Sequence, residues 1–123
     1  DGKEPRWSSG KDVPRWTSRP QLGKKQWVEG TFSKPRKVRS IGVYWMQDQQ
    51  DVKFPKEWFM EVRDGKTWKP FELYVTDRYD NRANQYNVVH PAAPLTCDAI
   101  RIHMTPNDNS ALGILEVQVA FEE

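Results

Sequence analysis

The sequence contains one cysteine in 123 residues and no long apolar run. Cys97 cannot form an intrachain disulfide and lacks the partner spacing of a zinc site, so we expect a small side chain that is buried or half-buried. No segment approaches the roughly 20 apolar residues of a membrane span, and none has the pattern of a signal peptide. Because the chain begins at Asp1 without a methionine, we expect a mature product or a piece excised from a longer protein.

Catalytic motifs are also missing. Neither His90 nor His103 has a serine or cysteine nucleophile motif beside it, and no glycine-rich phosphate loop occurs. No pattern places two carboxylates across a cleft, as glycoside hydrolysis requires. We therefore predict that this chain is not an enzyme.

The net charge of +2 excludes little, but the basic residues are concentrated in the first third of the chain. Residues 1–39 carry eleven Lys or Arg against four acids. Such a distribution can face an anionic polymer. No helix for reading a DNA groove and no RNA-binding sheet motif accompanies it, so a solvated basic surface is favoured and nucleic acid is not expected as a partner.

Two-residue alternation of apolar side chains dominates the rest of the chain, and helical periodicity is almost absent. This pattern predicts an all-β, antiparallel β-sandwich of about seven to eight strands. The predicted strands are 26–32, 40–46, 57–63, 71–75, 100–104 and 115–121, with a weaker one at 86–90. "SKPRK", within 33–39, is predicted to be a loop between the first two strands.

The Asp64-Gly65 pair lies between two alternating runs and predicts a tight hairpin, since such turns need positive φ values. Trp68 then lies just past the turn, close to Val62 or Arg63. Cross-strand packing is the favoured role for this tryptophan.

If successive strands are antiparallel, their connections alternate between the two ends of the sandwich. The opening segment, 47–56, 76–85 and 105–112 then share one end, and these connections are long and rich in aromatic and polar side chains. Rings pack on the C–H faces of sugars while Arg and Asn bind the hydroxyls, although the same residues also suit a protein partner. Trp16 and Trp27 are favoured to fill the end of the sandwich. The candidate carbohydrate-binding residues are Trp7, Arg15, Trp16, Arg19, Arg78, Tyr79 and Asn107.

A calcium site is a further candidate at this end, because hard cations are held by several loop oxygens. Asp1 lies in the opening loop and Glu116 lies near the start of the last predicted strand. From the residues alone, two ordinary surface acids are the favoured alternative.

Seven short segments, taken in order, resemble those of discoidin-like (coagulation factor V/VIII type C) domains, and among these the galactose-binding-like modules of carbohydrate-binding family 32. No single segment is specific, but the order is, and the resemblance covers nearly the whole chain. The segments are "DG" at 1–2, "RWTS" at 15–18, "QWVEGTF" at 26–32, "VRSIGVYW" at 38–45, "VRDGKTWKPF" at 62–71, "AIRIHM" at 99–104 and "GILEVQV" at 113–119.

The resemblance implies one jelly-roll β-sandwich domain over 1–123, with 1–25 as a long loop and 26–123 as the sandwich. It implies that sugar binds the loops at one end and that a structural Ca²⁺ is held through the loop of Asp1 and through Glu116. One departure concerns the metal: the family has a strand before the "DG" loop, and here the chain starts at Asp1.

The expected function is that of a non-catalytic carbohydrate-binding or accessory module of a bacterial glycoside hydrolase, similar to modules of β-L-arabinofuranosidase-type enzymes. Its partners would be a poly- or oligosaccharide and the neighbouring catalytic domain, at a secreted, periplasmic or cell-surface location. The alternative is a structural module that packs against the catalytic domain without binding sugar. Membrane-surface binding through Trp7, Leu22 and Lys24 is a third, less favoured reading.

Overall fold

The computed structural model describes residues 16–18, 22–47 and 51–122, with only the backbone described for Trp16 and Thr17. All strand pairings in this part are antiparallel. No helix there is long and apolar enough to cross a membrane. The strands are β1 (Trp16–Thr17), β2 (Gln26–Trp45), β3 (Glu57–Asp64), β4 (Thr67–Pro70), β5 (Tyr86–Val89), β6 (Leu95–Thr105) and β7 (Gly113–Phe121).

The long strand β2 belongs to both layers of the fold. Its first half pairs with β6, which continues to β3 and β4, and its second half pairs with β7 and β5. The ladder with β6 shifts register between Thr31 and Arg36. We call β2-β6-β3-β4 the front sheet and β5-β2-β7-β1 the back sheet. The all-β prediction, and the sandwich with it, is confirmed.

The core lies between these sheets because alternate residues of each strand face inward. Val28 and Ile41 from the two halves of β2, Met60 from β3, Ile102 from β6 and Val117 from β7 belong to one buried cluster. Each such side chain contributes about 1.5–3 kcal/mol on burial. Cys97 is buried as expected. Burial, together with the neighbouring carboxylate of Asp98, raises the pKa of its thiol to about 12.

Two predicted boundaries are wrong. The segment 33–39 lies within β2 instead of forming a separate loop, since the extra residues are absorbed as an irregularity where the strand changes sheets. Pro35 is tolerated there because the irregular stretch needs no ladder N–H from it. The run 71–75 is not a strand, because β4 ends at Pro70 and Leu73 makes only a single bridge, to Pro91.

The hairpin after β3 is confirmed, one residue later than predicted. Asp64 pairs with Thr67, so Gly65 and Lys66 are the central residues of the turn. Gly65 has φ 71° and Lys66 has no positive φ, which is the pattern of a type II′ turn with glycine first. Trp68 lies opposite Arg63, and both side chains are on the outer face of the front sheet.

Candidate functional site

Four loop segments converge at one end of the sandwich, as strand parity predicts. We call the segments 22–25, 51–56, 78–85 and 106–112 the loop end. The N–H of Gly23 donates to the carbonyl of Ser110 at 2.8 Å, and the N–H of Lys53 donates to the carbonyl of Ala111 at 3.1 Å. The N–H of Ala111 donates in turn to the carbonyl of Asp51 at 2.7 Å. The segment 106–112 therefore holds the segments 22–25 and 51–56 together.

Two asparagines brace these loops. The amide nitrogen of Asn107 donates to the carbonyl of Phe54 at 2.8 Å, and that of Asn81 donates to the carbonyl of Pro55 at 2.7 Å. Asn107 is one of the predicted carbohydrate-binding residues. One of its two side-chain N–H groups serves the shape of the loop, so a contact with sugar would fall to the other N–H or to the side-chain oxygen.

Tyr79, a second predicted contact, anchors the loop end to the core. Its ring lies 4.7 Å from that of Trp58, centroid to centroid, in an edge-on arrangement. Its hydroxyl accepts from the N–H of Met60 and donates to the carbonyl of Phe71, both at 3.2 Å. Burial raises the pKa of Tyr79 to about 12. Both the ring and the hydroxyl are therefore engaged by the fold.

Asp80 and Arg82, which follow Tyr79 in the same segment, are also held by hydrogen bonds from the strands. The indole N–H of Trp58 donates to the carbonyl of Asp80 at 2.8 Å. Asn87, which is buried on β5, accepts from the N–H of Arg82 at 2.8 Å and donates to the carbonyl of Val43 at 3.2 Å. Sequence reasoning missed Asn87, although a polar residue in an apolar strand was a signal for it.

Held between these anchors, Arg78 is exposed and has no side-chain partner in the part of the chain that the structure describes. Among the described residues, the side chain of Arg82 forms only a 3.7 Å ion pair with Asp80. Asn84 and Asp108 have positive φ values of 60° and 41°, a conformation that is uncommon outside glycine and concentrates at functional loops. The described loop end carries six Lys or Arg and three Asp, so it attracts anionic groups.

Several predicted residues lie outside the described part of the chain. These are Asp1, Trp7, Arg15 and Arg19. Trp16 is described by its backbone alone, which pairs with Ile114 at the start of β7, next to the loop end.

Glu116, the other predicted calcium ligand, is half-buried on β7 and accepts a hydrogen bond from the hydroxyl of Tyr86. Tyr86 reaches it from β5 across Gly42 of β2, where an added Cβ would lie 3.3 Å from the tyrosine side chain. Within the described residues no group of three His, Cys, Asp or Glu side chains could hold a metal. The described residues supply one carboxylate of the predicted calcium site, that of Glu116. The second predicted ligand, Asp1, lies outside them.

A row of aromatic and charged side chains on the outer face of the front sheet was also missed. His103 stacks on Phe59 at 4.7 Å, and the guanidinium of Arg101 lies over the rings of both Trp27, at 4.4 Å, and Trp68, at 4.0 Å. The prediction that Trp27 fills the end of the sandwich is wrong. The alternation that turns Val28 inward turns Trp27 outward.

Comparisons with known proteins agree with this architecture. The family described as F5/8 type C domain matches residues 1–117. Streptococcus pneumoniae beta-galactosidase BgaA is similar in structure, with a TM-score of 0.70 and 22% identity over 89% of this chain and 75% of that chain. The family 32 module of C. perfringens NanJ, solved in complex with galactose, has a TM-score of 0.69 and 16% identity over 88% and 76%. The family 32 module of Streptococcus pneumoniae EndoD has a TM-score of 0.60 and 19% identity over 88% and 75%. No curated protein sequence matches the chain.

Proposed function

The chain belongs to the F5/8 type C domain family, and from that premise we propose that it is a non-catalytic module that binds a glycan at the loop end. The observation that carries the proposal is the loop end itself. Its four segments are hydrogen-bonded into one surface, while the guanidinium of Arg78 is left exposed and unpaired by any described side chain. A preorganised surface with free donors binds polar ligands at a low entropic cost.

In this proposal each residue has a defined task. Arg78 and Arg82 donate to sugar hydroxyls or carboxylates, and Asn107 offers its side-chain oxygen. Tyr79 is a positioning residue that holds Arg78 in place from the core side. Trp7, Arg15, Trp16 and Arg19 stay predicted contacts. The module would serve a secreted bacterial glycoside hydrolase by raising the local concentration of its substrate.

Affinity electrophoresis in gels that contain a neutral galactan or polygalacturonate tests the proposal. We expect the wild-type chain to be retarded, and the retardation by polygalacturonate to weaken with salt, because the loop end is basic. Arg78→Ala should weaken binding about tenfold or more, since a hydrogen bond to a charged group contributes about 1.5–3 kcal/mol. Arg39→Ala removes another exposed arginine from the second half of β2, away from the loop end, and is the matched control.

Two results would oppose the proposal. A wild-type chain that no glycan of a broad array retards has no such function. Equal losses in Arg78→Ala and Arg39→Ala would mean that general charge, and not the loop end, holds the polymer.

The docking alternative requires an exposed apolar patch at the loop end. The exposed large hydrophobic side chains of the described part are Phe59, Tyr74, Val75 and Val88, and none of them lies in the loop-end segments. Sugar binding is therefore the proposal that the described surface supports better. A Ca²⁺ ion held by Glu116 and by the loop of Asp1 is proposed in addition, as a structural support for the opening segment.

A further inference from the structure

A recess lies on the flank of the molecule, where the turn after β4 packs against the end of β5. Tyr74, Thr76, Asp77 and His90 line it, and its volume is about 380 Å³. Small-molecule sites occupy about 300–1,000 Å³. His90 lies four residues past Tyr86, the first residue of β5, which is roughly 13 Å at about 3.3 Å per residue. Asp77, on the other wall, directly precedes Arg78, so the recess adjoins the loop end on one side and extends away from it along β5.

The turn that forms the recess is fastened to His90 at several points. The N–H of Asp77 donates to the carbonyl of Tyr74 at 2.8 Å, which closes the turn. The N–H of Tyr74 donates to the carbonyl of His90 at 2.9 Å. A carboxylate oxygen of Asp77 accepts from the backbone N–H of His90 at 2.6 Å and lies 3.0 Å from its ring Nδ1. The lining is thus preorganised.

The polar groups of the recess are mainly acceptors. Because a carboxylate oxygen of Asp77 lies 3.0 Å from Nδ1 of His90, that nitrogen is engaged and Nε2 is the ring nitrogen left to a ligand. The second carboxylate oxygen of Asp77 and the hydroxyl of Thr76 are the remaining polar groups of the recess. Acceptors require a ligand with hydroxyl donors, and the negative charge of Asp77 repels anions. One carboxylate and one imidazole are too few for a metal, in agreement with the absence of a three-ligand group among the described residues.

The remaining wall is apolar and accessible. The side chain of Tyr74 is 51% exposed, so one part of the ring is free for contact. A sugar combines an apolar C–H face with hydroxyl groups, and this combination matches an aromatic ring beside the carboxylate of Asp77 and the imidazole of His90. We propose that the recess is a second glycan site, which binds a neutral sugar residue beside the site proposed at the loop end.

An NMR titration of the ¹⁵N-labelled chain with D-galactose, D-glucose and L-arabinose at millimolar concentrations tests this site. At least one sugar should cause saturable shifts in the amide signals of residues 74–77 and 90. Tyr74→Ala should raise the Kd for that sugar about tenfold, which corresponds to about 1.4 kcal/mol, because it removes the ring on which the sugar packs. The fold should survive this change, since half of the side chain is exposed.

Phe59→Ala is the matched control, because it removes a ring with a similar exposed fraction, 50%, from the front sheet. This variant should keep the wild-type Kd. The proposal is overturned if no sugar shifts the amides of residues 74–77 and 90, or if Tyr74→Ala binds as the wild type does. Signals of residues 81–85 and 106–112 report the part of the loop end that lies away from the recess, so shifts confined to them support the proposed function and refute the second site.

Discussion

Replacing Tyr79 by phenylalanine tests whether this residue anchors the loop end. The substitution keeps the ring against Trp58 and removes only the hydroxyl. Two hydrogen bonds are lost, and the N–H of Met60 is left without its acceptor in a residue that is 1% exposed. Since water cannot easily replace the hydroxyl there, the loss should appear as a lower free energy of unfolding.

The magnitude follows from the geometry. Each net hydrogen bond contributes about 0.5–1.5 kcal/mol, and both bonds, at 3.2 Å, are at the long end of the normal range. We therefore expect Tyr79→Phe to lower the free energy of unfolding by about 1–2 kcal/mol. For a chain of this size, each kcal/mol corresponds to a fall of roughly 3–6 °C in Tm. Urea denaturation followed by tryptophan fluorescence measures the change, with an unaltered m-value.

The same variant has a pH signature. Burial raises the pKa of Tyr79 from 10.0 to about 12, an effect that the hydrogen bond from Met60 partly offsets. Above pH 10 the unfolded tyrosine releases a proton that the folded one retains. Stability from this group is thus complete below pH 10 and is lost between pH 10 and about 12. Tyr79→Phe should decline less steeply there than the wild type, and the comparison cancels the similar contribution of Cys97.

Tyr74→Phe is the control, because its hydroxyl is on a half-exposed side chain and has no described partner. A change within about 0.5 kcal/mol is expected for such a surface position. If Tyr79→Phe behaves like this control, or keeps the wild-type decline above pH 10, the hydroxyl is not an anchor and Tyr79 is again available as a sugar contact.

Two further substitution and ligand tests concern the back sheet and the opening loop. Gly42→Ala should lower the free energy of unfolding by about 1–3 kcal/mol, because the new Cβ would lie 3.3 Å from the side chain of Tyr86 and would push the tyrosine hydroxyl away from Glu116. An unchanged melting temperature would contradict that packing. EDTA should lower the melting temperature of the wild type but not of Glu116→Gln if Ca²⁺ bridges Glu116 and the loop of Asp1, and a wild type that is indifferent to EDTA refutes the calcium proposal.

Features that depend on neighbouring residues were predictable from the sequence. Alternation located most strands, since side chains of a strand face opposite sides with a period of two. Gly65 marked the hairpin because its φ of 71° is disfavoured for other residues. Parity then brought the correct loops to one end, because antiparallel strands reverse the chain direction at each connection. The fold and the location of the loop end follow from these local rules.

Other features arise only from contacts that are distant in sequence. The continuous course of β2 through Pro35 depends on different partners for its two halves. The roles of Tyr79 and Asn107 changed because each donates to a carbonyl in another segment, and no local pattern reports such a partner. The recess at His90 likewise exists because a turn thirteen residues earlier in the chain docks on it. The sequence by itself determined which face of each strand is apolar and which end carries the long loops, through backbone geometry. The tertiary structure decided which polar groups are consumed in bracing those loops and which are left to bind, because a side chain's partners depend on how the whole chain packs.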